Sequence, residues 1–311
     1  MAYERGLHEV GDGVWAYLQP DGGWGWSNAG LVTGDDDASL LVDTLFDLRL
    51  TAEMLEAMRR TTPAAEHVGT VVNTHANGDH CYGNALLADS EIISSARSAE
   101  EMAELPAETM AAMMRAAPSL GPAGEFLARI FAPFSFDGVP LTLPSRTFDG
   151  RLDLRVGDRA VSLVEVGPAH TAGDTVVHLP ADGIVFTGDI LFHGGHPIVW
   201  AGPVANWIAA CERILALQPA VVVPGHGPLA TVAAVADQKG YFELLTAEAR
   251  VRFDGGMPPM EAARDIDLGP YAGWGERERV VANIHALYRD FGADGPNDAM
   301  TLMGEMAALA R

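Results

Sequence analysis

A short loop in the first third of the chain concentrates side chains that bind metals. The segment Asn73–His80 reads Asn-Thr-His-Ala-Asn-Gly-Asp-His, so that two imidazoles and a carboxylate share one turn after an apolar run. Divalent metals bind imidazole nitrogen and carboxylate oxygen when these atoms are held close together. This crowding therefore predicts a metal centre that activates water as a nucleophile.

Three later segments place a histidine or an aspartate beside glycine or proline, directly after an apolar, β-branched run. The segments are Pro168–Asp174, Phe186–Asp189 and Pro224–Gly227. Loops at the ends of core strands are where sites are usually built on a rigid scaffold. Glycine lets the backbone turn sharply and approach a ligand closely. We therefore expect His170, Asp189 and His226 to complete the metal centre.

These motifs, in this order, resemble those of the metallo-β-lactamase superfamily, and the resemblance covers most of the first 230 residues. Asp43 fits the early aspartate that braces the ligand loop in this family. The usual signature has histidine at every second position followed by Asp-His, whereas here Asn77 replaces the second histidine. The resemblance implies an α/β protein built as a four-layer αββα sandwich.

Carried over position by position, the resemblance implies a centre of one or two zinc ions. The first metal would face His75, Asn77 and His170, the second would bind Asp79, His80 and His226, and Asp189 would bridge them. A carboxamide is a weaker zinc ligand than imidazole, so we expect the second position to fill first. Harder oxygen ligands also favour iron or manganese more than a His-rich site does. Alternatively, Asn77 hydrogen-bonds a water or the substrate.

Neighbouring side chains are predicted to assist the chemistry. Asp79 would orient the attacking hydroxide and later pass on a proton. Tyr82 could donate a hydrogen bond to an oxyanion, although packing explains it nearly as well. Asp43 and Asp174 would support the ligating imidazoles from behind. Cys81 is set aside as a nucleophile, because its neighbours are better explained as metal ligands.

The substrate pocket is expected beside the centre. His193 and His196 closely follow the bridging aspartate, so one of them could replace the missing imidazole, contact the substrate or lie exposed. Residues 97–135 form a helical insert rich in alanine and methionine, whose Met113 and Phe131 would give an adaptable apolar wall over the metals. The same insert could instead cover the core or form a dimer contact.

The elements that position these loops divide the chain into a catalytic domain, residues 1–230, and a C-terminal helical extension, residues 231–311. In the catalytic domain, helical spacing predicts a helix over Leu48–Arg60, and a buried strand precedes the ligand loop at Val68–Asn73. After the insert, strands are predicted at Leu141–Leu143, Leu152–Val156, Ala160–Val166, Thr175–Leu179, Ile184–Thr187 and Val221–Val223.

Composition narrows the class of protein. The 311 residues include 42 acidic and 20 basic side chains, giving a net charge of −22. Such a surface repels polyphosphate, which argues against nucleic acid as a partner. No apolar run approaches the ~20 residues of a membrane span, and the start of the chain lacks a basic-then-apolar leader. We therefore expect a cytoplasmic protein without a membrane partner that acts on a small molecule, with apolar appendages that suit a homodimer.

The combined prediction is a metal-dependent hydrolase that uses a metal-bound hydroxide to cleave an ester, thioester or lactone. A β-lactamase-like amide hydrolase is less favoured, because a secreted resistance enzyme would carry a signal peptide. The altered second ligand leaves open an iron-dependent oxygenase or redox tailoring enzyme on the same fold. A non-enzymatic descendant that binds a ligand or partner is the third alternative, and the retention of the other six ligand positions argues against it.

Overall fold

Two β-sheets face each other in the computed structural model, which describes residues 3–296 and 298–310. The first sheet pairs its strands in chain order: β1 (Gly6–Gly11), β2 (Val14–Leu18), β3 (Ala29–Thr33), β4 (Ser39–Val42), β5 (Thr70–Val72), β6 (Glu91–Ser95) and β7 (Arg146–Phe148). The second sheet contains β8 (Arg151–Val156), β9 (Arg159–Glu165), β10 (Thr175–Leu179), β11 (Ile184–Phe186) and β12 (Val221–Val223), with β12 and β8 at its edges. Strands β4 to β7 are parallel, as are β11 and β12.

Successive residues of the central strands alternate between two apolar cores. In β4, Leu40 and Val42 belong to the core between the sheets, whereas Leu41 belongs to the core beneath the helices. In β11, Phe186 faces the other sheet and Val185 faces the helices. Strands buried on both faces are expected to be continuous apolar runs, since successive side chains point to opposite faces.

Helices cover the outer faces of both sheets and complete the predicted αββα arrangement. Those of the first half are α1 (Leu48–Thr61), α2 (Gly78–Cys81), α3 (Ala96–Glu104), α4 (Ala107–Ala116) and α5 (Gly121–Phe131). Those of the second half are α6 (Val204–Leu217), α7 (Val232–Asp254), α8 (Pro259–Asp265), α9 (Val280–Asp290) and α10 (Ala299–Leu309). Over the described ranges, none of them is long and apolar enough to cross a membrane.

The predicted insert is divided into α3, α4 and α5. Pro106 precedes α4, and Gly121 begins α5 with a positive φ of 57°. Helix α10, which lies at the end of the predicted extension, packs against α5. Buried residues of α7, α9 and α10 share one apolar core with those of α1 and α6. The extension and the insert therefore meet on the same side of the molecule.

One predicted strand is absent from the described residues. Leu141–Leu143 forms no ladder, and Leu141 and Leu143 are 50% and 41% exposed. Pro140 and Pro144 flank this segment and have no amide N–H to pair, which disfavours a strand. The strand forms just after them, as β7, which pairs with β6.

The close approach of the two sheets depends on Gly30 in β3. A Cβ atom at this position would lie 2.1 Å from Cε1 of Phe186, which is buried in the other sheet. We expect Gly30→Ala to lower the free energy of unfolding by about 1–3 kcal/mol, the usual range for overpacking. Urea denaturation followed by circular dichroism measures this change.

The matched control is Gly69→Ala, because a Cβ on exposed Gly69 meets only one backbone oxygen, 3.6 Å away. It should change the free energy of unfolding by less than about 0.5 kcal/mol. Equal stability of the two variants would contradict tight inter-sheet packing at Gly30.

Candidate metal centre

Loops at the ends of parallel strands bring the ligand candidates together. His75, Asp189 and His226 are each the third residue after a strand, namely β5, β11 and β12. Two contacts join the loops of the two sheets: Asn28 donates from its side chain to the carbonyls of Pro224 (2.9 Å) and Gly227 (2.8 Å). The site is therefore anchored to both sheets.

The carboxylate of Asp189 lies at the middle of the cluster. Its oxygens are within 3.1–3.8 Å of the Nε2 atoms of four imidazoles, those of His75, His80, His170 and His226. Asp79 lies beside them, with Oδ2 3.3 Å from Nε2 of His226. The structure thus brings five of the predicted ligands together around the carboxylate of a sixth, Asp189.

The unused atoms of this cluster fit a divalent cation. Nε2 of His75, Nε2 of His80 and Oδ1 of Asp189 are buried and lack a hydrogen-bond partner among the described residues. Two ligand groups have donor atoms within 4.8 Å of one another: His75, His80 and Asp189, and Asp79, His80 and His226. Buried polar atoms need partners, and imidazole nitrogen with carboxylate oxygen is the donor set that zinc, iron and manganese accept.

The electrostatics of the cluster also favour a cation. Burial alone would lower the pKa of His80, but Asp189, Asp79 and Asp43 outweigh it and hold this pKa well above its usual value. Burial and the nearby His80 hold the pKa of His75 well below its usual value. The carboxylates thus draw positive charge to the cluster, and a bound metal would supply it.

Asp43 orients two of the imidazoles. Its carboxylate accepts hydrogen bonds from Nδ1 of His80 (2.9 Å) and from the backbone N–H (2.7 Å) and hydroxyl (2.8 Å) of Thr74. The same hydroxyl lies 3.0 Å from Nδ1 of His75. Both rings therefore present Nε2 to the centre, as metal-ligating histidines usually do. Asp43 itself has a positive φ of 61°, a strained conformation for a non-glycine residue.

Asp174 supports His170 through the backbone and contacts no imidazole. It accepts hydrogen bonds from the N–H (3.0 Å) and hydroxyl (2.7 Å) of Thr171 and from the N–H of Ala169 (3.1 Å). Burial raises the pKa of Asp174 to about 7, and the bonds from Thr171 act against that rise. Its role is to fix the loop that carries His170.

Asn77 contacts His170 within the cluster. Nδ1 of His170 donates to the carbonyl of Ile198 (2.7 Å), so Nε2 carries a lone pair, yet Oδ1 of Asn77 lies 2.6 Å from it. Two hydrogen-bond acceptors repel each other at 2.6 Å unless a proton or a cation lies between them. Either the amide is turned so that its NH₂ donates to His170, or a cation lies between the two atoms. A cation between these atoms agrees with the expected metal contact, whereas the hydrogen-bonding arrangement involves His170 instead of the expected water or substrate.

Tyr82 lines a cavity that opens over the ligand cluster, but its hydroxyl already makes a hydrogen bond within the protein. It donates to the carbonyl of Leu105 at 3.0 Å, and the ring stacks on Phe46 with centroids 5.8 Å apart. The expectation that Tyr82 donates to an oxyanion does not agree with these contacts. The tyrosine instead joins the ligand loop to the insert.

His193 and His196 do not line this cavity, which corrects their prediction as pocket residues. Nδ1 of His193 lies 3.0 Å from the carbonyl of Pro228. His196 is buried between the rings of Tyr241 and Trp274, and burial lowers its pKa to about 3. The backbone N–H of His196 donates to Gly275, which draws this loop toward the C-terminal extension.

This cavity has a volume of about 350 Å³ and opens above the cluster of ligand candidates. Asp79, His170, Asp189 and His226 line its floor. Its walls include Met110, Met113 and Phe131 of the insert, as predicted, together with residues that the sequence analysis missed: Trp24, Leu105, Arg279 and Met303. Arg279 lies in a run of alternating Glu and Arg, a pattern typical of a solvated turn, so the sequence carries no signal of its burial.

Two curated proteins share part of this sequence. The alpha subunit of 2,4-dinitroanisole O-demethylase from Nocardioides sp. (strain JS1661) is 33% identical over 107 residues, 33% of this chain and 32% of that protein. Hydroxyacylglutathione hydrolase from Fuscovulum blasticum is 31% identical over 130 residues, 38% of this chain and 51% of that protein. The matches thus span about half or less of these relatives.

Solved structures agree on the fold. The stereoselective inverting sec-alkylsulfatase from Pseudomonas sp. superposes with a TM-score of 0.67 and 16% identity, over 93% of this chain and 50% of that one. A metallo-β-lactamase from Pontibacter korlensis gives 0.55 and 18%, over 77% of this chain and 99% of that one. The sequence profile of the metallo-β-lactamase superfamily matches residues 22–226, a range that contains every ligand candidate described above. The chain therefore belongs to the metallo-β-lactamase superfamily.

Proposed function

We propose that the chain is a metal-dependent hydrolase that cleaves an ester, thioester or lactone of a small molecule. The observation that carries this proposal is the carboxylate of Asp189 among four imidazole Nε2 atoms, with Asp79 beside it, at the floor of a mostly apolar cavity. Members of the superfamily bind metal ions, usually zinc, and the donor atoms here suit it. A bound metal would lower the pKa of a water and polarise the scissile carbonyl.

Asp79 is the residue best placed to handle protons. Its side chain is 13% exposed and faces the cavity, while Oδ2 lies 3.3 Å from Nε2 of His226. The hydroxyl of Ser27 donates to the Asp79 carbonyl at 2.5 Å, which fixes the backbone of this residue. Asp79 would orient the attacking water and accept its proton, a role that requires a carboxylate within reach of the reacting atoms.

The walls of the cavity favour an acyl group over a highly polar substrate. Met110, Met113 and Met303 line it, and methionine adapts its shape to apolar ligands. A volume of about 350 Å³ suits a small molecule. The relative from Fuscovulum blasticum is named as a hydrolase of hydroxyacylglutathione. These features support an ester or thioester, ahead of the amide bond of a β-lactam.

The metal content of the wild-type chain should be closer to one tightly held zinc than to two. Asp79, His80 and His226 retain a full ligand set with Asp189, whereas Asn77 leaves the other position without one imidazole. Asn77→His should therefore raise the content toward two ions per chain. Elemental mass spectrometry on protein purified without added metal or chelator measures both values.

The control for this measurement is His67→Ala, which removes an exposed histidine outside the cluster and should leave the metal content unchanged. Two zinc ions in the wild type, with no gain in Asn77→His, would contradict the predicted weakness of the first position. A content dominated by iron, together with oxygen consumption, would favour the oxygenase alternative.

Loss of the Asp79 carboxylate should impair hydrolysis. We expect Asp79→Asn to lower kcat by about 10²-fold or more, which is the usual contribution of general acid–base catalysis. The measurement uses the metal-loaded protein with acyl thioesters, aryl esters and lactones, and the metal content of each variant is determined alongside. Asp158→Asn, an exposed aspartate in the β8–β9 turn, is the matched control. No turnover of the whole panel by metal-loaded wild type would overturn the proposed function.

A further inference from the structure

Arg279 is a buried cation on the wall of the cavity. It lies just before α9 and is 1% exposed, although arginine is almost never fully buried unless it is paired. It lines the same cavity as Asp79, Asp189 and the apolar side chain of Met303. The C-terminal extension thus places a fixed positive charge beside the metal centre.

The contacts of Arg279 hold the guanidinium in place without neutralising it. One terminal nitrogen donates to the carbonyl of His196 (3.0 Å), and the group stacks on Trp24 and Phe192, at 4.3 and 5.1 Å from the ring centroids. Nε is buried without a hydrogen-bond partner, and no carboxylate of the described residues lies within 4.0 Å of the guanidinium. A buried charge is costly unless it is paired and hydrogen-bonded.

Four acidic side chains attract the guanidinium, Glu276 most strongly and then Glu278, Asp189 and Asp79, but none of them forms an ion pair with it within 4.0 Å. Glu278 accepts a hydrogen bond from the indole N–H of Trp24 at 2.9 Å. Asp79 and Asp189 belong to the cluster of ligand candidates, where a bound cation would neutralise their charge. Arginine stays protonated in proteins. Because no carboxylate bonds to it directly and Nε has no partner, the guanidinium can still bind a ligand that enters the cavity.

We propose that Arg279 binds an anionic group of the substrate, such as a carboxylate, and so restricts the proposed hydrolase to substrates that carry one. A guanidinium binds oxyanions through short, charge-assisted hydrogen bonds. Met303 and Phe131 line the same cavity and would contact the apolar part of such a molecule. This inference rests on the proposed function only for the identity of the bond that is cleaved.

The test is the affinity of metal-loaded protein for 1-octanesulfonate and 1-octanol, measured by isothermal titration calorimetry. The two probes share one alkyl chain, neither has a bond to hydrolyse, and a sulfonate pairs with guanidinium but is a weak metal ligand. We expect the sulfonate to bind at least about tenfold more tightly than the alcohol, as one charge-assisted hydrogen bond would give. Arg279→Met should abolish this preference and leave the affinity for octanol unchanged, whereas Arg279→Lys should retain part of it.

The matched control is Arg129→Met. Arg129 also lies over an aromatic ring, 5.2 Å from the centroid of Phe126, but it is exposed and outside the cavity. This variant should keep the preference for the sulfonate. A preference that survives in Arg279→Met would place the anion on the metals and overturn the proposal.

The affinities of the wild type for the sulfonate and the alcohol test the proposal even if Arg279→Met does not fold. Equal affinities of the wild type for the two probes would show that Arg279 is only structural, so that its replacement lowers the thermal stability alone. Because binding is read without turnover, a failed screen for hydrolysis and a failed anion subsite give different results.

Discussion

The metal centre depends on one buried carboxylate, that of Asp189, which lies among four imidazoles at the junction of the two sheets. Asp189 is only 5% exposed, at the floor of the cavity, so water can relieve little of its charge. Such a cluster is stable only if positive charge is shared among its members or supplied by a metal. The supporting hydrogen bonds follow from this constraint: Asp43 accepts from Nδ1 of His80, and the Thr74 hydroxyl contacts Nδ1 of His75, so that both rings turn their Nε2 lone pairs inward.

Backbone geometry explains why the cluster can be so compact. The ligand loops leave strands that are buried on both faces, and such strands allow little movement of the residues that follow them. Glycine is required where these loops meet: a Cβ on Gly225 would lie 2.0 Å from Oδ1 of Asp189, and Gly188 has a positive φ of 50° and lies against Thr74. The glycines beside the ligands in the sequence thus make room for the carboxylate.

The sequence predicted those parts of the molecule in which a run of apolar residues is followed directly by a side chain that can bind a metal. Apolar, β-branched runs predicted the core strands, and the histidine or aspartate that follows each run predicted the members of the ligand cluster. The strand predicted at Leu141–Leu143 was wrong. The prediction relied on the apolar composition of the segment and disregarded the prolines on either side. Arg279 and His196 were beyond sequence reasoning for a different reason. Their burial depends on long-range packing of the C-terminal helices, and neither a Glu-Arg run nor a Gly-rich loop signals it.

These differences suggest how chemistry and recognition are divided along the chain. The ligand candidates all lie within residues 22–226, the range matched by the superfamily, and so does Met113 of the insert, whereas Arg279 and Met303 come from the extension. The net charge of −22 repels anions at long range. An anionic substrate would therefore gain its affinity inside the cavity, where low polarity strengthens the attraction to Arg279. In the proposed hydrolase, binding energy would come from Arg279 and the apolar walls, which would leave the metal centre free to act on the transition state.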